Sequence, residues 1–161
     1  MEVVKVWMAD SNVAKYPNTI RTTGLGSCVG VTMYDASTKV AGMAHVMLPS
    51  STLAKNSDFK NAKYADTALP ELLDMVTKAG ASKSRLVAKL AGGSQMFNFS
   101  NSSEAMRIGP RNVEACKKAL KKLGIRIVAE DTGGNIGRTV ELMTDTGKFL
   151  IRTATKESKE I

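Results

Sequence analysis

Histidine is almost missing from this 161-residue chain, with His45 the only one. That excludes H-E-x-x-H zinc proteases and multi-histidine metal sites. Two cysteines are too few for a disulfide-dense secreted scaffold. Cys28 and Cys116 form no C-x-x-C pair, so a Cys-rich zinc module is excluded as well. No metal and no cofactor are expected. No apolar run approaches the roughly 18 residues of a membrane span. The start, Met1-Glu2-Val3-Val4-Lys5-Val6-Trp7, lacks the basic and long apolar regions of a secretory signal. The expectation is a cytoplasmic protein with reduced thiols and no membrane insertion. Aromatic residues make up 5% of the chain, and no basic segment is interleaved with stacking residues. The net charge of +8 is therefore read first as a solvated basic helix face around Lys117, Lys118, Lys121 and Lys122. An acidic protein partner comes second and nucleic acid last.

What is present is an ordinary globular composition, 43% hydrophobic and 24% charged, with enough length for one core. Residues 1–155 are expected to form a single domain, followed by a polar, frayed tail over 156–161. Val3 to Met8 reads as a strand, and Asp10-Ser11-Asn12 and Pro17-Asn18 as turns. Val29 to Tyr34 and Val40 to Leu48 read as a hairpin around Asp35-Ala36-Ser37-Thr38. Ala62 to Lys78 has helical spacing, with a kink or break expected at Pro70 and a stop at Gly80. A second helix starts at Pro110, carries Val113, Cys116, Leu120 and Leu123 on one face, and stops at Gly124. Strands are expected over 86–91 and 125–129, and a last hairpin around Asp145-Thr146-Gly147. About seven strands and two main helices, not strictly alternating, suggest an α+β layered mixed-sheet sandwich with outer helices.

The first hairpin has computable geometry. If Tyr34 pairs with Lys39, Val29, Val31 and Met33 share one face with Val40, Gly42 and Ala44. The opposite face then sets Gly30 against Met43 and Cys28 directly against His45. An imidazole beside a thiol can take its proton and assist attack on a carbonyl carbon. Gly24-Leu25-Gly26-Ser27 precedes the cysteine. Backbone N–H groups near Gly26 and Ser27 could hold an oxyanion or contact substrate. Two readings of the pair stand at this point: a nucleophile with its base, or an inert core thiol beside a hydrogen-bonded core imidazole. Cys116 reads as core packing. Gly24-x-Gly26 lacks the third glycine of a dinucleotide fingerprint. Neither Gly92-Gly93 nor Gly133-Gly134 opens a P-loop.

The stretch Thr22-Thr23-Gly24-Leu25-Gly26-Ser27-Cys28-Val29-Gly30-Val31, followed by Gly42-Met43-Ala44-His45-Val46-Met47-Leu48-Pro49, resembles the CheD family of bacterial chemotaxis. Lys63-Tyr64-Ala65-Asp66-Thr67-Ala68, Lys89-Leu90-Ala91-Gly92-Gly93, Ile108-Gly109-Pro110-Arg111-Asn112-Val113 and Glu130-Asp131-Thr132-Gly133-Gly134-Asn135 extend the resemblance over almost the whole chain. It implies a fold related to the catalytic domains of deamidating toxins. It implies a protein-glutamine glutaminase that converts selected Gln side chains of methyl-accepting chemoreceptors to Glu, with some activity on receptor methyl esters. The catalytic set it implies falls on Cys28, His45 and Thr22. Thr22 enters only through the resemblance. It also implies a partner, the phosphatase CheC, docking over the site. A different class of function is a docking module for receptors or CheC, with Phe97 in the polar loop around Gln95, Met96 and Phe99 as a candidate anchor. A thiol redox sensor ranks last, because Cys116 reads as buried.

Overall fold

Two strands are mostly apolar, β4 (Val29–Asp35) and β5 (Val40–Val46), and every residue of both is buried, the polar Thr32, Asp35 and His45 included. Strands covered on both faces read as continuous apolar runs because neither face meets water. The computed structural model, which describes residues 1–54, 60–95 and 107–161, shows what covers them. Before them come β1 (Val3–Val6), β2 (Ser11–Lys15) and β3 (Thr19–Leu25). After them come α1 (Ala65–Lys78), β6 (Val87–Gly92), α2 (Ile108–Leu123), β7 (Arg126–Thr132), β8 (Arg138–Met143), β9 (Phe149–Thr153) and β10 (Ser158–Glu160). One mixed sheet has the order β1-β3-β8-β9-β10 and the other β2-β5-β4-β6-β7. Val29, Val31, Met33, Ala44 and Val46 pack with Leu69, Leu72, Cys116 and Leu120 of the two helices. The opposite face, with Cys28, Tyr34 and Met43, packs against Ile20, Val140, Leu142 and Ile151 of the first sheet. The layers are therefore sheet, sheet and helices, an α+β sandwich with outer helices.

The hairpin register differs from the expected one. Asp35 pairs with Val40 and Gly30 with His45, so the ladder is displaced by two residues. The Asp35 carboxylate accepts from the N–H of Ser37 and Ser82 and takes the Arg85 guanidinium, which holds Asp35 in the ladder. A shift of two preserves every side chain's face. Cys28 and His45 stay on one face, but not directly opposed.

Other expectations change too. Ser11–Lys15, read partly as a turn, is the edge strand β2, and Thr19–Leu25 forms β3 inside the first sheet. Pro70 sits inside α1 without breaking it. The last residues do not fray. Ser158–Glu160 pair with β9, and Ile161 exchanges backbone hydrogen bonds with Phe149. Gly124 ends α2 in the left-handed conformation, as expected.

Asp35 is fully buried, and hydrogen bonds from Arg85, Ser82 and Ser37 hold its carboxyl well below the usual carboxylate range. Replacing Asp35 by Ala is expected to cost about 3 kcal/mol at pH 7. A depressed folded-state pKa contributes stability that is complete above the ordinary value near 3.8 and lost as pH falls below it. Urea unfolding at pH 7 and pH 3 should show the gap between wild type and Asp35→Ala narrowing at the acid end.

Candidate active site

The ends of β1, β3, β5, β6 and β7 and the starts of β4 and β8 lie at one edge of the sandwich, where the two sheets meet. Gly24 has φ +73, and the β3–β8 register shifts between Thr22 and Leu25. This bulge turns the chain out of the first sheet and into β4 of the second. Gly26 and Ser27 are half-buried on that bend, and Cys28, 8% exposed, closes it. The Cys28 carbonyl accepts from the Gly93 N–H at 2.8 Å and the Gly26 carbonyl from the Ser94 N–H at 2.9 Å. A Cβ on Gly92 would stand 2.3 Å from the Cys28 carbonyl oxygen, so only glycine lets β6 come this close. Among the described residues, the Ser27 and Cys28 N–H groups meet no acceptor.

His45 is completely buried on β5. Its backbone N–H donates to Asp10 at 2.9 Å. The Thr22 hydroxyl lies 2.7 Å from His45 Nδ1 and 2.8 Å from the Val6 carbonyl. A hydroxyl has one proton, and a carbonyl can only accept, so that proton goes to Val6. The Thr22 oxygen must then accept from Nδ1–H. This assigns the proton of the neutral ring to Nδ1 and leaves Nε2 with a free lone pair. Nε2 is buried and has no hydrogen-bond partner among the described residues. Val6 reaches Thr22 because β1 runs parallel to β3 with Val6 opposite Thr22.

Continuing the observed register would set Cys28 opposite Met47, with His45 its diagonal neighbour on the same face. Such neighbours in a regular ladder are about 7–8 Å apart. Thiol and ring are therefore adjacent but not hydrogen-bonded. Burial pushes the Cys28 thiol above its ordinary value of 9.0. Burial also pushes the imidazole below 6.5 and outweighs the opposing pull of the Asp10 charge. Both shifts favour a neutral thiol beside a neutral imidazole.

Thr22, Gly26, Ser27, Cys28 and His45 are thus brought to one place. Phe97, with Met96 and Phe99, lies outside the described residues. Two residues escaped sequence reasoning. Arg138 bonds Asp131, the carbonyls of Gly92 and Gly133, and the Ser94 hydroxyl, fastening the strand end that holds Cys28. Asn112 of α2 donates to the carbonyls of Ser27 and Met47. Its signal was a polar residue four before Cys116 and eight before Leu120, on the apolar helix stripe. Cys116 is fully buried, and burial pushes its thiol far up. No group of three or more potential metal ligands occurs among the described residues, and no helix there is long and apolar enough to cross a membrane.

Fold and site define a class: an α+β sandwich that gathers a thiol, an imidazole and a hydroxyl where its two sheets meet. The chain belongs to the CheD family, described as CheD chemotactic sensory transduction, whose family model matches residues 47–153. That match begins after His45. The full-length relatives also span the thiol and the imidazole. The chain is 57% identical over 160 residues to the chemoreceptor glutamine deamidase CheD of Halalkalibacterium halodurans, covering 99% of each chain. It is 50% identical over 159 residues to the chemoreceptor glutamine deamidase CheD of Bacillus subtilis, covering 99% of this chain and 96% of that one. A crystal structure of a Neisseria meningitidis protein of the DUF152 family shares the fold, with TM-score 0.50 and 11% identity over 84% of this chain and 65% of that one.

Proposed function

We propose that this protein is a cysteine amidohydrolase that converts glutamine side chains of methyl-accepting chemoreceptors to glutamate. The observation that carries the mechanism is the Thr22–His45 hydrogen bond, which leaves Nε2 as a base on the face of Cys28, without a partner among the described residues. The names of the full-length relatives support the substrate. Cys28 Sγ attacks the carboxamide carbon while His45 Nε2 takes the thiol proton. The oxyanion meets the N–H groups of Ser27 and Cys28, which have no other acceptor among the described residues. The imidazolium returns its proton to the departing nitrogen, and ammonia leaves a thioester. His45 then takes a proton from water, hydroxide displaces the thiolate, and glutamate and free thiol result. A receptor methyl ester follows the same course, with methanol departing. CheC, covering the mouth of this site, would block both reactions.

The test is peptide mass spectrometry of a receptor cytoplasmic fragment after incubation with the protein. Gln-to-Glu conversion at discrete positions is the expected result. No conversion at any glutamine, with the receptor bound, would move the assignment to a docking module.

Thr22 orients the base and does not touch substrate. Thr22→Val leaves the buried Nδ1–H without its acceptor and frees the ring to turn. Activity should fall by about 10²-fold, and Thr22→Ser should keep most of it. Initial deamidation rates of the two variants decide this, and equal rates would remove Thr22 from the mechanism.

A further inference from the structure

The β4–β5 ladder stops at Val29–Val46, just short of the pair the site needs. One step further, Cys28 would face Met47, and no strand pairing holds them. A side chain from another layer takes over. Asn112 of α2 is completely buried, and its Nδ2 donates to Ser27 O at 3.0 Å and to Met47 O at 2.9 Å. The first carbonyl lies just before the thiol residue, and the second lies two residues after the imidazole. Its Oδ1 is buried with no partner among the described residues. A flipped carboxamide would aim that oxygen at two carbonyl oxygens, so the donors settle its orientation.

We infer that Asn112 is a positioning residue for the reaction, acting by aiming the Cys28 N–H at the developing oxyanion. The Ser27 carbonyl and the Cys28 N–H belong to one planar trans peptide, with C=O and N–H pointing in opposite directions. A hydrogen bond that fixes the carbonyl therefore fixes the N–H. The same NH₂ group also bridges the Ser27 and Met47 carbonyls just beyond the last pair of the β4–β5 ladder. The Oδ1 left without a partner among the described residues accompanies this placement, since an amide that supplies two donors brings an acceptor with it. This inference rests on the amidohydrolase reading above.

Asn112→Leu keeps the number and branching of the side-chain heavy atoms and removes both donors. In steady-state deamidation of a receptor fragment, kcat should fall by about 10²-fold, as for loss of one oxyanion donor, with KM within about threefold. Alkylation of Cys28 by iodoacetamide forms no oxyanion, and its rate should stay within about threefold of wild type. Asn112→Ser keeps one donor. Should the leucine variant not fold, a loss of about tenfold in kcat in the serine variant supports the same conclusion. Wild-type kcat in a folded Asn112→Leu protein, or in Asn112→Ser, would leave Asn112 with a structural role only and overturn the inference. A parallel fall of alkylation and kcat would also overturn it, because the thiol itself would then be displaced. If wild type deamidates nothing, the amidohydrolase reading fails first and takes this one with it. If wild type is active and the variants are too, only this one fails.

Discussion

Cys28→Ala is expected to lose at least about 10³-fold in receptor deamidation while keeping its fold and its grip on the receptor. The size follows from the chemistry. Without Sγ there is no thioester, and water must attack an unactivated carboxamide directly. The remaining backbone donors and bound geometry account for what little rate persists. The stability cost should be small, about 1 kcal/mol or less, because the site is at the rim and one atom is removed. Cys116→Ala should behave in the opposite way. That thiol is completely buried between α2 and the second sheet, so its loss should lower Tm and leave the rate unchanged. Initial rates and thermal melts of the two variants give the comparison. A Cys28→Ala protein within tenfold of wild type would end the covalent mechanism.

His45→Gln should cost about 10³-fold, within the range of a lost general acid–base. Glutamine can fill much of the space but cannot carry the proton between thiol, ammonia and water. Wild type should show a matching pH profile. The base works unprotonated, and burial holds the imidazole below 6.5, so the acid limb should lie below pH 6.5. Burial raises the thiol above 9.0, so no neutral-pH loss of thiol is expected. Stability carries the same signature. Below pH 6.5 the unfolded chain binds a proton at this histidine and the folded chain resists it. Folding stability should therefore decline as pH drops from 7 to 5, and less so in His45→Gln. Urea midpoints at the two pH values measure it. An acid limb unchanged in a variant with residual activity would assign that limb to another group.

Much of the site was legible before any tertiary structure. The apolar runs of β4 and β5 and a short loop placed Cys28 and His45 on one face, and the two-residue error in register did not disturb that. The error itself came from Asp35. It was read as a loop residue, but Arg85, fifty positions away, and the N–H of Ser82 hold it in the ladder. β2 was misread because an edge strand with a half-exposed polar stretch resembles a turn. β3 was not read as a strand at all. Asn112 escaped notice although it is a polar residue on an apolar helix stripe, and nothing local says which carbonyls it meets.

Side-chain alternation along a strand and the period of a helix are local, so the amino-acid sequence alone determined which face carries the thiol and imidazole and which helix faces are buried. The protonated nitrogen of His45 was decided by the Val6 carbonyl on β1, which a parallel pairing delivers to Thr22, sixteen residues further along the chain. The aim of the Ser27–Cys28 peptide was decided by a carboxamide eighty-five residues on. A hydrogen bond needs a partner within about 3 Å, and only the packing of distant segments brings these partners that close.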